Sequence, residues 1–277
     1  MDPRIFQLSV LGGLLVYGMT VLDFEIGAVQ AAITLGGVLL TQWLCTRLWK
    51  LPHFDPKSAL ISGLSLCLLC RTNELWLLVA CIVVTIGSKF VLRWRGKHIF
   101  NPTNIGLVAM IAFADGRVWV SPGQWGNVAF FGFLMACLGG LVVNRAARSD
   151  VTLAFLGFYL ALVFGRSFYL GEPLAIPVHR LQSGALLLFA FFMVSDPKTT
   201  PDSRVGRILF AGLVAWLAWY ITFRMFRTNG LLWSLALLSL AVPLIDRLLP
   251  GTRYDWKNRG RTPPRDAPDV APSSAFA

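Results

Sequence analysis

The sequence predicts an all-α polytopic membrane protein of ten helices in two inverted five-helix repeats, and three observations carry that prediction. Of the 277 residues, 56% are hydrophobic and only 14% charged, and the mean hydropathy of +0.63 lies well outside the range of a soluble domain. Apolar runs of helical length recur along the chain, separated by charged or Pro/Gly-rich breaks. With the amino terminus inside, nineteen of the 25 Lys and Arg fall on the inner side of those runs, a bias that one helix more or fewer would abolish.

Taken in order, the runs place helices near 5–22, 27–48, 58–70, 74–92, 104–114, 127–144, 151–170, 183–195, 207–226 and 231–249. Met1-Asp2-Pro3-Arg4 enters the first run without a small-residue cleavage site, so that helix is expected to stay in the mature chain. The third, fifth and eighth are short. In the eighth, Ser183-Gly184-Ala185-Leu186 to Val194-Ser195, about 12 apolar residues give roughly 18 Å of helix, against about 30 Å of hydrocarbon. At an offset of 125, Ser183 aligns with Ser58, Pro177 with Pro52, Asp196 with Arg71, and Thr228-Asn229 with Thr103-Asn104. Five helices per half is an odd number, which inverts the second half relative to the first. The expected organisation is a membrane domain over 1–250, with halves of about 1–125 and 126–250. A disordered cytoplasmic tail, rich in Pro, Arg, Asp and Ser, follows over 251–277.

A net charge of +11 would point a soluble protein toward nucleic acid; here it follows loop placement, so lipid and not nucleic acid is the expected partner. Cys45, Cys67, Cys70, Cys81 and Cys137 all fall in apolar runs and read as buried small hydrophobes, Cys67 and Cys70 lacking the further ligands a metal site needs. His53, His98 and His179 flank helices as interfacial polar residues.

Short apolar segments in corresponding positions of two halves point to a binding site near the membrane midplane. Two polar stretches adjoin them. The first runs from Ser88 to Asn104, where Lys89 and Lys97 accompany Asn101-Pro102-Thr103-Asn104 at a helix entrance; Asn101 or Thr103 is placed to cap that helix, whose free amides suit an anion. An ordinary positive-inside loop with an Asx turn accounts for the same residues. The second is Ser195-Asp196-Pro197-Lys198-Thr199-Thr200-Pro201, where Asp196 serves either as a ligand group with Thr199 and Thr200 or as a turn cap paired with Lys198 or Arg204. Lys89, Lys97, Asn101 and Asn104 on one rim, with Asp196, Lys198, Thr199 and Thr200 on the other, are the expected binding residues. No catalytic set and no metal-ligand spacing stands out. Trp119-Val120-Ser121-Pro122-Gly123-Gln124-Trp125-Gly126 reads as an outer interfacial loop, with Gln124 and Trp125 placed to close a pocket from outside.

Phe191-Phe192-Met193-Val194-Ser195-Asp196-Pro197-Lys198-Thr199-Thr200-Pro201, together with Phe100-Asn101-Pro102-Thr103-Asn104, resembles the RnfD/NqrB membrane family, which supplies membrane subunits to the Rnf electron-transport complex and to the sodium-pumping NADH:quinone oxidoreductase. The likeness covers roughly residues 3–256 and is stronger to short stand-alone members, some described as enediyne-biosynthesis membrane proteins. It implies a urea-channel-like fold, a bacterial inner (plasma) membrane location with both termini cytoplasmic, redox or assembly partner subunits, and flavin. Relatives attach FMN to the Thr of an Asp-x-x-Ser-Gly-Ala-Thr type motif. Here the Asp115–Asn127 connection has none, and Ser183-Gly184-Ala185 continues into Leu186, which has no hydroxyl. The expectation is a membrane subunit of a flavin-dependent electron-transport system that binds flavin (FMN or riboflavin) or quinone non-covalently. The alternatives are a channel or transporter for a small solute, and a non-catalytic adaptor in a biosynthetic or photosynthetic assembly.

Overall fold

A computed structural model describes residues 2–22, 26–121, 138–144 and 147–254. Gln124, Trp125, Cys137, the start of the expected sixth helix and the tail beyond 254 lie outside the described residues.

Three helices of the first half begin at a capped turn. Asp2 accepts the Arg4 N–H at the start of α1 (Pro3–Thr20), Asp55 accepts the Ser58 N–H at the start of α3 (Pro56–Leu69), and Asn101 accepts the Asn104 N–H at the start of α5 (Pro102–Phe113). Proline follows the cap in α3 and α5, where its missing N–H costs nothing and its φ is already helical. These caps move the third and fifth helices two residues earlier than the apolar pattern alone indicates. Between them run α2 (Ala28–Leu48) and α4 (Leu75–Val91). Residues 138–144 form the described part of α6, followed by α7 (Ser149–Leu170) and a short α8 (Ala175–Leu181) that apolar periodicity does not reveal. The eighth expected helix is α9 (Gly184–Leu188) continued by a π turn over Phe189–Met193, in which the Val194 N–H reaches back to the Phe189 carbonyl at 3.0 Å. Then come α10 (Arg204–Phe223), α11 (Gly230–Ser239) and α12 (Val242–Leu248). The expected tenth helix is thus broken at Leu240-Ala241, just before Pro243.

Helix accounts for nearly all regular structure among the described residues, the exceptions being two short antiparallel ribbons. One pairs β1 (Cys70–Thr72) with β4 (Val118–Val120), opposing Arg71 to Trp119. The other is a hairpin of β2 (Arg93–Trp94) and β3 (Lys97–His98), turned by Arg95 and Gly96 at φ values of 49° and 77°. Two consecutive positive φ values make the type I′ turn that suits strand twist, and glycine takes the second at no steric cost.

Among the described residues, three helices, Ala28–Leu48, Ser149–Leu170 and Arg204–Phe223, are long and apolar enough to cross a membrane. Two bent pairs, α8 with α9 and its π turn at 52° and α11 with α12 at 51°, raise the number to five if each is one span. The core is largely apolar, with Leu107, Phe155, Phe189, Met193 and Phe210 fully buried. Leu153, Phe168, Val205 and Trp216 face outward, as a surface in contact with lipid tails allows.

Close helix packing depends on small residues where backbones approach. At Gly106 of α5, a Cβ would overlap the Thr85 hydroxyl of α4. Gly106→Ala is therefore expected to force α4 and α5 apart at a cost of about 1–3 kcal/mol. Thermal unfolding in detergent checks this, with Gly87→Ala, where the added Cβ meets open space, as the reference.

Candidate functional site

The starts of α3 and α5 and the end of the π turn meet around one cavity of about 80 Å³. Its polar wall comprises Arg4, Asp55, Ser58, Lys89, His98, Asn101, Asp196 and Lys198; its apolar wall comprises Ile61, Val142, Val143, Phe191, Phe192 and Met193. Ser58, Ser62 and Ser65 line it at spacings of four and three, one face of α3 over about two turns, which carries the polar surface roughly 10 Å along the helix.

Arg4, Asp55, Lys89 and Asp196 are each held by local contacts. Lys89, in the last turn of α4 and only 5% exposed, donates from Nζ to the Ser58 carbonyl at 2.9 Å and to Ser58 Oγ at 3.1 Å. Arg4 bridges Asp2 and Asp55. Asp196 Oδ1 accepts the Lys198 N–H at 3.0 Å, closing a turn, while Oδ2 accepts Asn101 Nδ2 at 3.3 Å. The hinge after the π turn is thereby tied to the cap of α5. Ser195 steadies the same hinge by donating to the Phe191 carbonyl at 2.6 Å, and Thr152 of α7 donates to the Ala190 carbonyl at 2.9 Å. Both bonds go to carbonyls of the π turn.

For Asp196, Lys198 and His98, in the loops that border the cavity, burial is the largest influence. It pushes the Asp196 carboxyl above the usual carboxylate range, against the pull of its bond from Lys198 and of nearby cations. The Lys198 ammonium is lowered by burial, and His98 falls well below 6.5 through burial and then through the positive charges of Lys198, Arg93 and Lys89. His98 is therefore neutral at physiological pH. Its Nδ1 is buried with no hydrogen-bond partner among the described residues.

Of the eight residues singled out in the sequence, Lys89, Asn101, Asp196 and Lys198 line this cavity. The other four stand behind it. Lys97 Nζ is clamped by Asp202 at 2.9 Å and Asp246 at 2.8 Å, pinning the β2–β3 hairpin to the hinge and to α12. Asn104 donates to the Leu232 carbonyl at 3.1 Å and so joins α5 to α11. The Thr199 hydroxyl contacts the Asp196 carbonyl at 3.4 Å, and the Thr200 hydroxyl accepts from Arg148 Nε at 3.3 Å. Arg148 in turn stacks on Tyr254, its Cζ 4.8 Å from the ring centroid. Arg71, the positional counterpart of Asp196, is absent from the cavity lining; its guanidinium donates to the Cys67 and Cys70 carbonyls at 2.8 and 2.9 Å and closes the carboxyl end of α3. Arg4, Asp55, His98 and the serine face of α3 are cavity residues that sequence reasoning did not assign. The serine spacing carried the signal for α3; nothing local in sequence brings Arg4 or His98 to it.

Comparison with known proteins agrees with the motif at the hinge. The profile of the NQR2, RnfD, RnfE family matches residues 112–255, just over half of the chain. The RnfD protein of the ion-translocating oxidoreductase complex of Erwinia tasmaniensis is 33% identical over 151 residues, 53% of this chain and 37% of that protein. The proteins of the same name from Citrobacter koseri and Escherichia coli are 33% identical over 126 and 125 residues, 44% of this chain and 34% of theirs. Each match spans about a third of the relative's length. On the residues of the profile match, the chain belongs to the NQR2, RnfD, RnfE family.

Proposed function

We propose that the chain is a membrane subunit of an ion-translocating oxidoreductase assembly, acting with partner subunits in a bacterial inner membrane. The observation that carries this reading is the coincidence of the family match with a polar cavity walled by two short helix starts and a broken helix. A plain structural protein has no need to seat Lys89 and Asp196 in an apolar interior, where ionisable groups cost several kcal/mol unless paired or hydrated.

The same reading takes residues 1–250 as the membrane domain, built of two inverted halves, with the tail cytoplasmic. Helix order supports the repeat: shifted by 125, α2, α3, α4 and α5 overlay α7, α9, α10 and α11 in sequence. The packing runs in parallel too, since α2 packs on α4 as α7 packs on α10, α4 on α5 as α10 on α11, and α5 meets α11. Ion pairing supports the sidedness. Among the described residues, every ion pair joins loops that the charge bias assigns to the same side. Arg4–Asp55, Lys57–Asp2, Lys97–Asp202, Lys97–Asp246 and Arg207–Asp150 lie on the inner side; Arg117–Glu74 and Arg166–Glu172 lie on the outer. Reporters fused after Lys97, Arg148 and Arg204 are accordingly expected in the cytoplasm, and those after Asp23, Arg117 and Glu172 on the opposite side; an outside signal after Arg148 would sink the ten-helix arrangement.

Flavin or quinone, held non-covalently, is the redox group of this reading. When bound, such a group supplies the electron transfer; the protein supplies position and surroundings. Lys89, Asn101 and Lys198 offer donors for its carbonyl or phosphate oxygens, and Phe191 and Phe192 an apolar wall. At about 80 Å³ the cavity takes such a polar edge and not a whole tricyclic ring, since ligand-sized pockets run from about 300 Å³ upward. Purified protein is expected to release flavin or quinone on denaturation, with no fluorescent band comigrating with the chain on denaturing gels. A colourless preparation whose solvent extract holds neither group would remove the cofactor from this reading.

Asp196 gives the site a pH signature. Its folded value is raised above 3.8, so its contribution to stability is complete below 3.8 and is lost as pH rises through the folded value. In Asp196→Asn that loss is gone, while the bond from Asn101 is impaired equally at all pH. The melting temperature of the variant relative to wild type is expected to climb between pH 4 and neutrality, and a flat difference in detergent thermal scans would show that burial does not govern this carboxyl.

A further inference from the structure

We infer that the cavity is a binding site for a compact oxyanion, phosphate being the representative of the class. This goes beyond the redox reading and needs no bound flavin or quinone.

The lining leaves ammonium donors unused while its carboxylates are taken. An ammonium has three donors. Lys89 spends two on Ser58 and has one left. The Lys198 ammonium lines the same cavity, and among the described residues no acceptor lies within hydrogen-bond distance of it. Neither lysine has a carboxylate within 4.0 Å among the described residues. The carboxylates, by contrast, are engaged. Asp55 takes Arg4 and the Ser58 N–H, and Asp196 takes Asn101 and the Lys198 N–H. The Ser58 carbonyl is shared by Lys89 and the Ser62 hydroxyl. What the cavity lacks is negative charge.

Charge and size agree. Arg4, Lys89 and Lys198 face two carboxylates, Asp55 and Asp196, leaving the lining one positive charge in excess. The first turns of α3 and α5 border it and add the partial positive charge of their amide ends. His98, lowered first by burial, is lowered further by the charges of Lys198, Arg93 and Lys89. A space of about 80 Å³ exceeds a single water, whose share of liquid is about 30 Å³, and falls far short of a drug-sized pocket. A tetrahedral oxyanion with a water or two suits it, and its oxygens can accept from Lys89, Lys198 and the α3 serines together.

The experiment titrates inorganic phosphate into the detergent-purified full chain by calorimetry, at fixed ionic strength, before and after delipidation. Wild type is expected to show saturable binding. Lys89→Met and Lys198→Met should each weaken it about tenfold or more, the effect of losing a charge-assisted hydrogen bond. Asp196→Asn should tighten it, and the outward-facing Arg227→Ala should leave it unchanged. Heat seen only after delipidation identifies a lipid phosphate as the resident oxyanion, and heat seen beforehand identifies free anion; both uphold the site. Lys198→Met keeps the test decisive should Lys89→Met fail to fold. No phosphate heat in either preparation, wild-type affinity in both lysine variants, or weaker binding in Asp196→Asn overturns the inference. Flavin released by protein that takes no phosphate would overturn it while leaving the redox reading standing; phosphate bound by a protein free of flavin and quinone would do the reverse.

Discussion

The contact on which the site depends is the one between the Lys89 ammonium and the first turn of α3. A cation with 5% exposure in an apolar interior needs acceptors at once, and the nearest are the Ser58 carbonyl and hydroxyl. The groups a helix leaves unpaired at its start are N–H donors, so the ammonium instead uses the remaining lone pair of the Ser58 carbonyl and the Ser58 hydroxyl. Lys89 therefore ties the last turn of α4 to the beginning of α3 at one depth, and Asp55-Pro56 fixes where that beginning falls. From there α3 has 14 residues before Arg71 closes its other end, about 21 Å of helix. Its shortness follows from two buried cations, one near each end.

The second half meets the same depth by different chemistry. The π turn over Phe189–Met193 ends at Ser195 and Asp196, and Asn101 joins that end to the start of α5. A π turn leaves carbonyls out of the ordinary ladder, and Thr152 and Ser195 supply the missing donors at the Ala190 and Phe191 carbonyls. Gly139 makes room for this segment, since a Cβ there would collide with the Phe191 ring. Below it, Arg148, Thr200 and Tyr254 brace the hinge, while Lys97 holds Asp202 and Asp246 together. Four residues first singled out as ligand groups divide accordingly: they keep the cavity's wall in place, and the cavity's own charge comes from others.

Much of this is legible in sequence because it is local. Short apolar runs, the Asn-Pro start of α5, and the hinge motif were readable since capping and helix length act over a few residues. The β2–β3 hairpin escaped notice although Arg95-Gly96 marks its turn, because two-residue strands show no alternation to detect. The break at Leu240-Ala241 had its sign in Pro243, overruled by the strong apolarity on either side. Pairings across the chain were not legible at all. That Lys97 would find Asp202 and Asp246 while Lys89 would find a helix start is decided by which loops the packing of α4, α5 and α11 brings together.

The charge of the cavity also decides which ions it can hold. One unit of excess positive charge about 5 Å away, at an effective dielectric constant of about 20, repels a cation by about 3 kcal/mol and attracts an anion by as much. A sodium ion in this cavity would meet that repulsion with acceptors already committed: Asp55 to Arg4, Asp196 to Asn101 and its own turn. The charge and the spare ammonium donors that turn a cation away are the features an oxyanion would use, so exclusion of cations and the inferred anion site rest on one arrangement of side chains.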